Sequence, residues 1–362
     1  MDEPAAPEIV AWDVALRVAR QTLRLAPAPP VSNRELAALR QDFDAATVRA
    51  ERLVEQATGL HPTVGPVRAL VTDRAGWVEA NLASFRRLLR PVARRLAASP
   101  RARRALNPLS RAAAGAEVGV LLAWMAGRVL GQYDLLPVEG SELDAVYFVG
   151  PNILELERRH GFPAEEFRLW IALHEVTHRV QFTGVPWMRG YFLDLVERGS
   201  ALGAPDAQAL LSSLRRAAAE LREGRNPLAD AGIVGVLASS EQLATLREAQ
   251  ALMSLLEGHG DVVMSSAGSA EIPSAERFAD VLRRRRSEVG PLARIARQAI
   301  GLEGKLRQYA EGERFVGYVL EAGGEELFSR VWSSPELLPS MEEIREPERW
   351  VERVGGRAAT PA

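Results

Sequence analysis

The stretch FRLWIALHEVTHRVQF, at residues 167–182, constrains the fold more than any other part of the chain. Its apolar residues recur at spacings of three and four, which is the period of an α-helix. A proline at position 163 and two glutamates behind it favour a helix start, and a glycine and a proline after it favour an end near residue 182. This predicted helix carries His174, Glu175 and His178 within an apolar surface, where such polar groups need partners.

Those three residues form an H-E-x-x-H motif. Histidines four residues apart lie one turn apart on the same helical face, so both imidazoles can bind one cation. Hydrogen-bonded core histidines would be the simpler explanation, but a metal ion provides a partner for all three side chains at once. The motif therefore predicts one zinc ion per chain, held by His174 and His178, with Glu175 as the general base that takes a proton from the attacking water.

A hydrolytic zinc site takes a third protein ligand, and the sequence offers two candidates. Glu257 follows a run of apolar residues in a predicted helix, where a lone carboxylate would be costly. Asp261 lies four residues later on the same face and is predicted to accept a hydrogen bond from a ligand imidazole. His259 lies on a different face but is flanked by glycines that weaken the helix, so it stays open as the alternative ligand.

The composition excludes several kinds of site and partner. There is no cysteine, so disulfides, thiolate metal sites and cysteine nucleophiles are ruled out. The net charge of −2 gives no general attraction to nucleic acid or membranes, and neither is expected as a partner.

The arginine-rich run at residues 86–104 is interpreted as a solvated helix face, and the apolar stretch at residues 118–127 as part of a buried helix. The N-terminus lacks a signal-peptide pattern, which favours a cytoplasmic protein.

Helical patterns dominate the rest of the chain, so the predicted fold class is α+β and mainly α-helical. Helices are predicted at residues 33–57, with Asn33 as N-cap, and at residues 110–131. Residues 65–98 are predicted to form one or two further helices, with an apolar stripe through Val67, Leu70, Trp77 and Leu82. The strongest strand pattern is AVYFV at residues 145–149. We expect a partly irregular lead at residues 1–32, a single domain at residues 33–354 and a disordered tail at residues 355–362.

In these residues the chain resembles the zincin metallopeptidases. The resemblance is to their gluzincin branch in particular, in which a glutamate on a second helix is the third ligand. HEVTH followed by a distant E-x-x-x-D carries this resemblance. More narrowly, it resembles an actinobacterial zincin-like family once listed as of unknown function, some of whose members are labelled as associated with deazaflavin-coenzyme biosynthesis. The matching segments are QYDLLP (132–137), YFVGPNI (147–153), LHEVTHRVQF (173–182), VPW (185–187), EGHGDVVM (257–264) and KLRQY (305–309).

The resemblance implies a zincin-like core in which an active-site helix, a ligand helix and a small sheet are wrapped by additional helices. It covers most of residues 40–354. Two features depart from the zincin pattern. Arg179 follows the second histidine, where an uncharged residue is common, and Glu257 lies 79 residues after His178 (257 − 178 = 79), which requires inserted helices between the two ligand helices.

These observations predict a zinc metallopeptidase whose substrate is a peptide or a small amide. Tyr309 is the first candidate for stabilising the oxyanion, with Tyr147 and Arg307 as others. The strand at residues 145–149 is a candidate for pairing with an extended peptide. A zinc hydrolase of small amides or esters, and a zincin-fold metal-binding protein without turnover, are the alternatives. The sequence leaves the oligomeric state open.

Overall fold

The computed structural model describes residues 8–90, 93–94, 106–135, 144–200, 240–268, 271–287 and 302–355. The chain divides into two compact units. The first consists of Met1–Gly184 with Ala267–Ala275, and the second of Val185–Ser266 with Glu276–Ala362. The expected single domain stays a prediction. The tail expected at residues 355–362 lies, after Gly355, outside the described residues.

The first unit combines helices with a small sheet, which confirms the α+β, mainly helical class. Its helices are α1 (Trp12–Leu25), α2 (Asn33–Thr58), α3 (Arg74–Leu88), α4 (Pro108–Ala126), α5 (Gly150–His160) and α6 (Ala164–Gly184), and its strands are β1 (Arg68–Thr72), β2 (Gly131–Tyr133) and β3 (Ala145–Val149). The described strands have the order β1-β3-β2, with β1 parallel and β2 antiparallel to β3.

The central strand β3 is buried on both faces, because helices cover each side of the sheet. Phe148 points to the face covered by α2, where its ring stacks on that of Phe43 with centroids 3.9 Å apart. Tyr147 and Val149 point to the opposite face and pack in a cluster around Trp77, which α1, α3 and α4 complete. Alternate side chains of one strand therefore contribute to two separate cores.

Three local predictions for this unit were wrong. Residues 68–72 form β1 rather than helix, because pairing with β3 outweighs local propensity. Ser32, not Asn33, caps α2, and it shares a capping box with Glu35. Helix α4 ends at Ala126 and not near residue 131. Beyond these three positions, the residue after β3 is already the first residue of α5.

One buried amide explains the early end of α4. The side chain of Asn152 donates hydrogen bonds of 2.7 Å to the carbonyls of Ala126 and Val129. It accepts a third bond from Arg74. Asn152 thus binds the last carbonyl of α4 and one carbonyl of the segment that follows, and the chain can turn into β2.

The second unit is helical in its described part. Its elements are α7 (Met188–Ser200), α8 (Ser240–Gly268, whose last two residues belong to the first unit), α9 (Ala275–Ser287, whose first residue does), α10 (Leu302–Ser329, broken at Gly324), the 3-10 turns Arg330–Trp332 and Pro335–Leu337, α11 (Met341–Arg345) and α12 (Pro347–Gly355). Trp350 is fully buried, and its indole donates to the carbonyl of Leu337 at 2.8 Å.

Two glycines allow α8 and α10 to cross in backbone contact. A Cβ on Gly312 would lie 1.9 Å from the carbonyl oxygen of Ser254, and a Cβ on Gly258 would lie 2.1 Å from the carbonyl carbon of Gly312. No larger residue fits at either position without moving a helix. The crossing lies one residue from Glu257, so it fixes the part of α8 that carries this carboxylate.

Candidate metal centre

Helix α6 carries the H-E-x-x-H motif in a deeply buried segment. It begins after Pro163, whose carbonyl accepts the backbone N–H of Phe167 at 2.9 Å. Glu165 and Glu166 lie in the first turn, where acidic side chains favour a helix start. The helix packs on α2 and against β2, and most of its residues from Phe167 onward are buried. The apolar surface expected from the sequence is therefore the buried surface of this helix.

His174 and His178 lie one turn apart on α6, as their spacing predicts. Their ring centroids are 4.7 Å apart and the rings are nearly perpendicular, at 81°. Both side chains are half-buried. Two imidazoles so close on one face can direct a nitrogen each to a common cation.

Gln181 orients the second histidine, and it was not among the residues predicted from the sequence. It is fully buried, and its Oε1 lies 2.9 Å from Nδ1 of His178. The amide oxygen can accept a hydrogen bond only if Nδ1 carries the proton, which leaves Nε2 of His178 with its lone pair for a metal. The three-residue spacing on one helix was the available signal.

Glu257 completes a three-ligand group. A nitrogen of His174, a nitrogen of His178 and a carboxylate oxygen of Glu257 lie within 4.8 Å of one another. Each of the three residues is half-buried. Two imidazole nitrogens and one carboxylate oxygen are a donor set that catalytic zinc sites in other proteins use. Asp261 lies one turn after Glu257 on α8, and its role beside an imidazole stays a prediction.

The ring of His259, the alternative ligand, packs among aromatic side chains of the second unit. It stacks on Phe328 with centroids 5.2 Å apart and meets the edge of Trp332 at 5.1 Å. The residue is 5% exposed. These contacts are typical of a histidine in a hydrophobic core. The residue of α8 whose ligand atom lies near those of His174 and His178 is Glu257.

Two arginines fix α6 on either side of the motif. Arg168 makes two hydrogen bonds of 2.8 Å to the carboxylate of Glu157 on α5, and it also binds Asp42 on α2. Arg179 is fully buried and binds Glu51 on α2 and Asp144 just before β3. The arginine after the second histidine therefore anchors the helix that carries the motif.

Glu175 lies against the sheet at β2. It is 9% exposed, and its carboxylate reaches the backbone of Gly131 so closely that a Cβ there would lie 2.9 Å from Oε1. Two turns further along α6, Phe182 approaches the ring of Tyr133 on the same strand. The strand beside the motif helix is thus β2, which lies at an edge of the described sheet.

The structure changes two predictions about supporting residues. The strand at residues 145–149 is central in the described sheet and already pairs on both sides, so it offers no edge for a peptide. Tyr147 points into the Trp77 cluster, on the opposite face from Phe148. Burial and the nearby Asp134 carboxylate raise the pKa of its hydroxyl. The side chains of Tyr309 and Arg307 lie outside the described residues, although both positions belong to α10.

Two comparisons with known proteins gave matches. The model of a family described as zincin-like metallopeptidases matches residues 10–351. A protein from Chloroflexus aurantiacus, whose crystal structure is described as that of a candidate hydrolase with a novel fold, is similar with a TM-score of 0.70 and 33% sequence identity. That similarity covers 97% of this chain and 100% of the other. Among curated proteins there is no significant match.

Proposed function

Because the chain belongs to the zincin-like metallopeptidase family, we propose that it is a zinc-dependent hydrolase that cleaves peptide bonds. The observation that carries the proposal is the group of His174, His178 and Glu257, whose ligand atoms lie within 4.8 Å of one another, with Glu175 beside the first histidine. A purely structural metal site has no need of that extra carboxylate.

The donor set supports zinc as the metal. Imidazole nitrogens with one carboxylate oxygen suit zinc, and the chain has no thiolates to form a different kind of site. His174, His178 and Glu257 would hold the ion. Zinc in such a site acts as a Lewis acid toward a carbonyl group and makes water a nucleophile near neutral pH.

Glu175 would move the proton. Its carboxylate takes a proton from water as the water attacks the scissile carbonyl, and then delivers it to the leaving amine. Gln181 supports this chemistry indirectly, because it holds the His178 ring in one tautomer and orientation. The group that stabilises the oxyanion stays open, with Tyr309 and Arg307 as the remaining candidates.

The edge strand β2 supports a peptide substrate. Val149 donates to the carbonyl of Leu130, and Asp134 donates to that of Ala145. Hydrogen-bonded pairs alternate along an antiparallel ladder, so the N–H and C=O groups of Gly131 and Tyr133 point away from β3. An extended peptide could pair with these groups beside Glu175. Hydrolysis of a small amide or ester is the second candidate, since the ligands and the base would serve it equally.

Metal analysis and one conservative variant test the proposal. We expect one zinc ion per purified chain, lost in His174→Ala. Glu175→Gln should retain zinc but hydrolyse quenched fluorescent peptides at least about 100-fold more slowly than wild type. Hydrolysis of p-nitrophenyl acetate but of no peptide in a broad library would favour the small-substrate alternative. A metal-free wild type, or a Glu175→Gln variant as fast as wild type, would refute the assignment.

A further inference from the structure

Gly131 is the point at which the sheet meets the side chain of the general base. If Gly131 carried a Cβ, that atom would lie 2.5 Å from Cγ, 2.9 Å from Cδ and 2.9 Å from Oε1 of Glu175. Distances this short are well inside van der Waals contact, so a methyl group and the present Glu175 side chain cannot both occupy this space.

The surroundings restrict how Glu175 could avoid such a methyl group. The residue is 9% exposed, and its helical neighbours Val176 and Thr177 are fully buried. The helix itself is held by the buried ion pairs of Arg179 with Glu51 and Asp144. Displacement of α6 would break these contacts, so the side chain of Glu175 would have to move instead.

The backbone at position 131 does not require glycine. Gly131 is not among the described glycines with positive φ, and it pairs in the regular register with Phe148. Other residues could therefore adopt this conformation. The contact with Glu175 is the constraint that the structure gives for the absence of a side chain there.

From these contacts we infer that Gly131 is a positioning residue for the general base. The missing side chain leaves space on β2 for the carboxylate of Glu175, the residue that follows His174 on α6. This inference rests on the proposed function for its catalytic meaning, but the steric coupling between positions 131 and 175 can be measured without it.

A double-mutant cycle tests the coupling in zinc-loaded full-length protein, with acetohydroxamate as the probe. This compound chelates the metal and can donate a hydrogen bond to a carboxylate in the place of Glu175. Gly131→Ala and Glu175→Ala should each weaken acetohydroxamate binding by about tenfold, the size of one lost charge-assisted bond. The double variant should bind no more weakly than Glu175→Ala alone, because the methyl group then has no carboxylate to displace. All variants should retain one zinc per chain.

The Tm of the metal-free chains, measured by thermal unfolding, tests the same double-mutant cycle independently. Gly131→Ala should lower Tm by about 2 °C when Glu175 is present and should not lower it in the Glu175→Ala background. Gly190→Ala is the matched control, since a Cβ there would have no atom within 4 Å. It should leave the acetohydroxamate affinity unchanged and should not lower Tm, because alanine favours the helix that contains position 190.

The outcomes separate the two proposals. A wild-type protein that binds no zinc would refute the proposed function. The unfolding cycle on the metal-free chains would still test the steric coupling between positions 131 and 175. Wild-type acetohydroxamate affinity in Gly131→Ala, or an equal effect of Gly131→Ala in both backgrounds, would overturn the role of Gly131.

Discussion

At the scale of single residues, the side chains that follow the second histidine support the site in different ways. Gln181 accepts a hydrogen bond from His178, whereas Arg179 ties the helix to its neighbours. Both side chains are fully buried. Polar residues are usually expected on the exposed face of a helix, so the sequence did not indicate that these two support the site. Their roles lead to separate predictions, one for metal affinity and one for stability.

Replacement of Gln181 should weaken zinc binding without removing a ligand. Gln181→Leu takes away the acceptor that fixes the His178 tautomer, and we expect a 10- to 100-fold weaker affinity, as is typical for lost partners of metal-binding imidazoles. Competition with a chromophoric chelator would measure this. Gln181→Glu retains an acceptor oxygen and serves as the control. Equal affinities in Gln181→Leu and wild type would contradict the role of the amide.

Replacement of Arg179 should destabilise the fold. Arg179→Met leaves Glu51 and Asp144 without their buried cation, and breaking such a pair costs about 3–5 kcal/mol of unfolding free energy. Arg198 offers the matched control, because its ion pairs with Asp194 and Glu248 are exposed. Arg198→Met should cost no more than about 1 kcal/mol. Urea denaturation would compare them, and similar losses would argue against an anchoring role.

At the scale of elements, short helices depend on their caps more than on their length. Helix α11 has five residues, too few to be stable alone. Its N-terminus is closed by a capping box between Ser340 and Glu343, and Glu343 also accepts hydrogen bonds from Arg353 on α12. Burial raises the pKa of the Glu343 carboxyl, but the bonds from Arg353 and Ser340 outweigh it and hold the pKa below the usual 4.5.

This capping box should make stability depend on pH in a defined window. A carboxyl with a lowered pKa in the folded state stabilises the fold above its unfolded pKa, and that contribution is lost as pH falls through the folded value. Glu343→Gln should therefore be less stable than wild type at pH 7, and the gap should shrink below about pH 4.5. Thermal unfolding between pH 3 and 7 would measure it. A gap that is constant or widens in acid would contradict the prediction.

At the scale of the whole molecule, zinc binding and folding should be linked. A ligand that binds only the folded chain adds unfolding free energy by mass action, about 2.7 kcal/mol at a free concentration 100 times Kd. Zinc should therefore raise the unfolding temperature of wild type, and a chelator should reverse the effect. Glu257→Ala and His178→Ala should lose most of the rise. A rise of the same size in these variants would place the metal elsewhere.

The sequence also indicated the overall class and much of the helical pattern, but the sheet was the weakest part of the prediction. Helices α2 and α6 were predicted within a few residues, because a helix closes its own hydrogen bonds locally. Strand β1 was taken for helix, and the three-residue β2 was missed. Such short strands are stable only through pairing with β3, and that pairing joins residues distant in the chain.

The sequence by itself determined the chemistry available to this protein: a helix with His174, Glu175 and His178 on its buried surface, and no thiolates. These facts follow from helical periodicity and composition, which are local. Only the tertiary structure showed that ligand atoms of Glu257, His174 and His178 lie within 4.8 Å of one another, that Gln181 contacts His178, and that Gly131 leaves room for Glu175. Each of these depends on how close particular side chains come after packing, and that distance is set by the contacts of whole helices and strands.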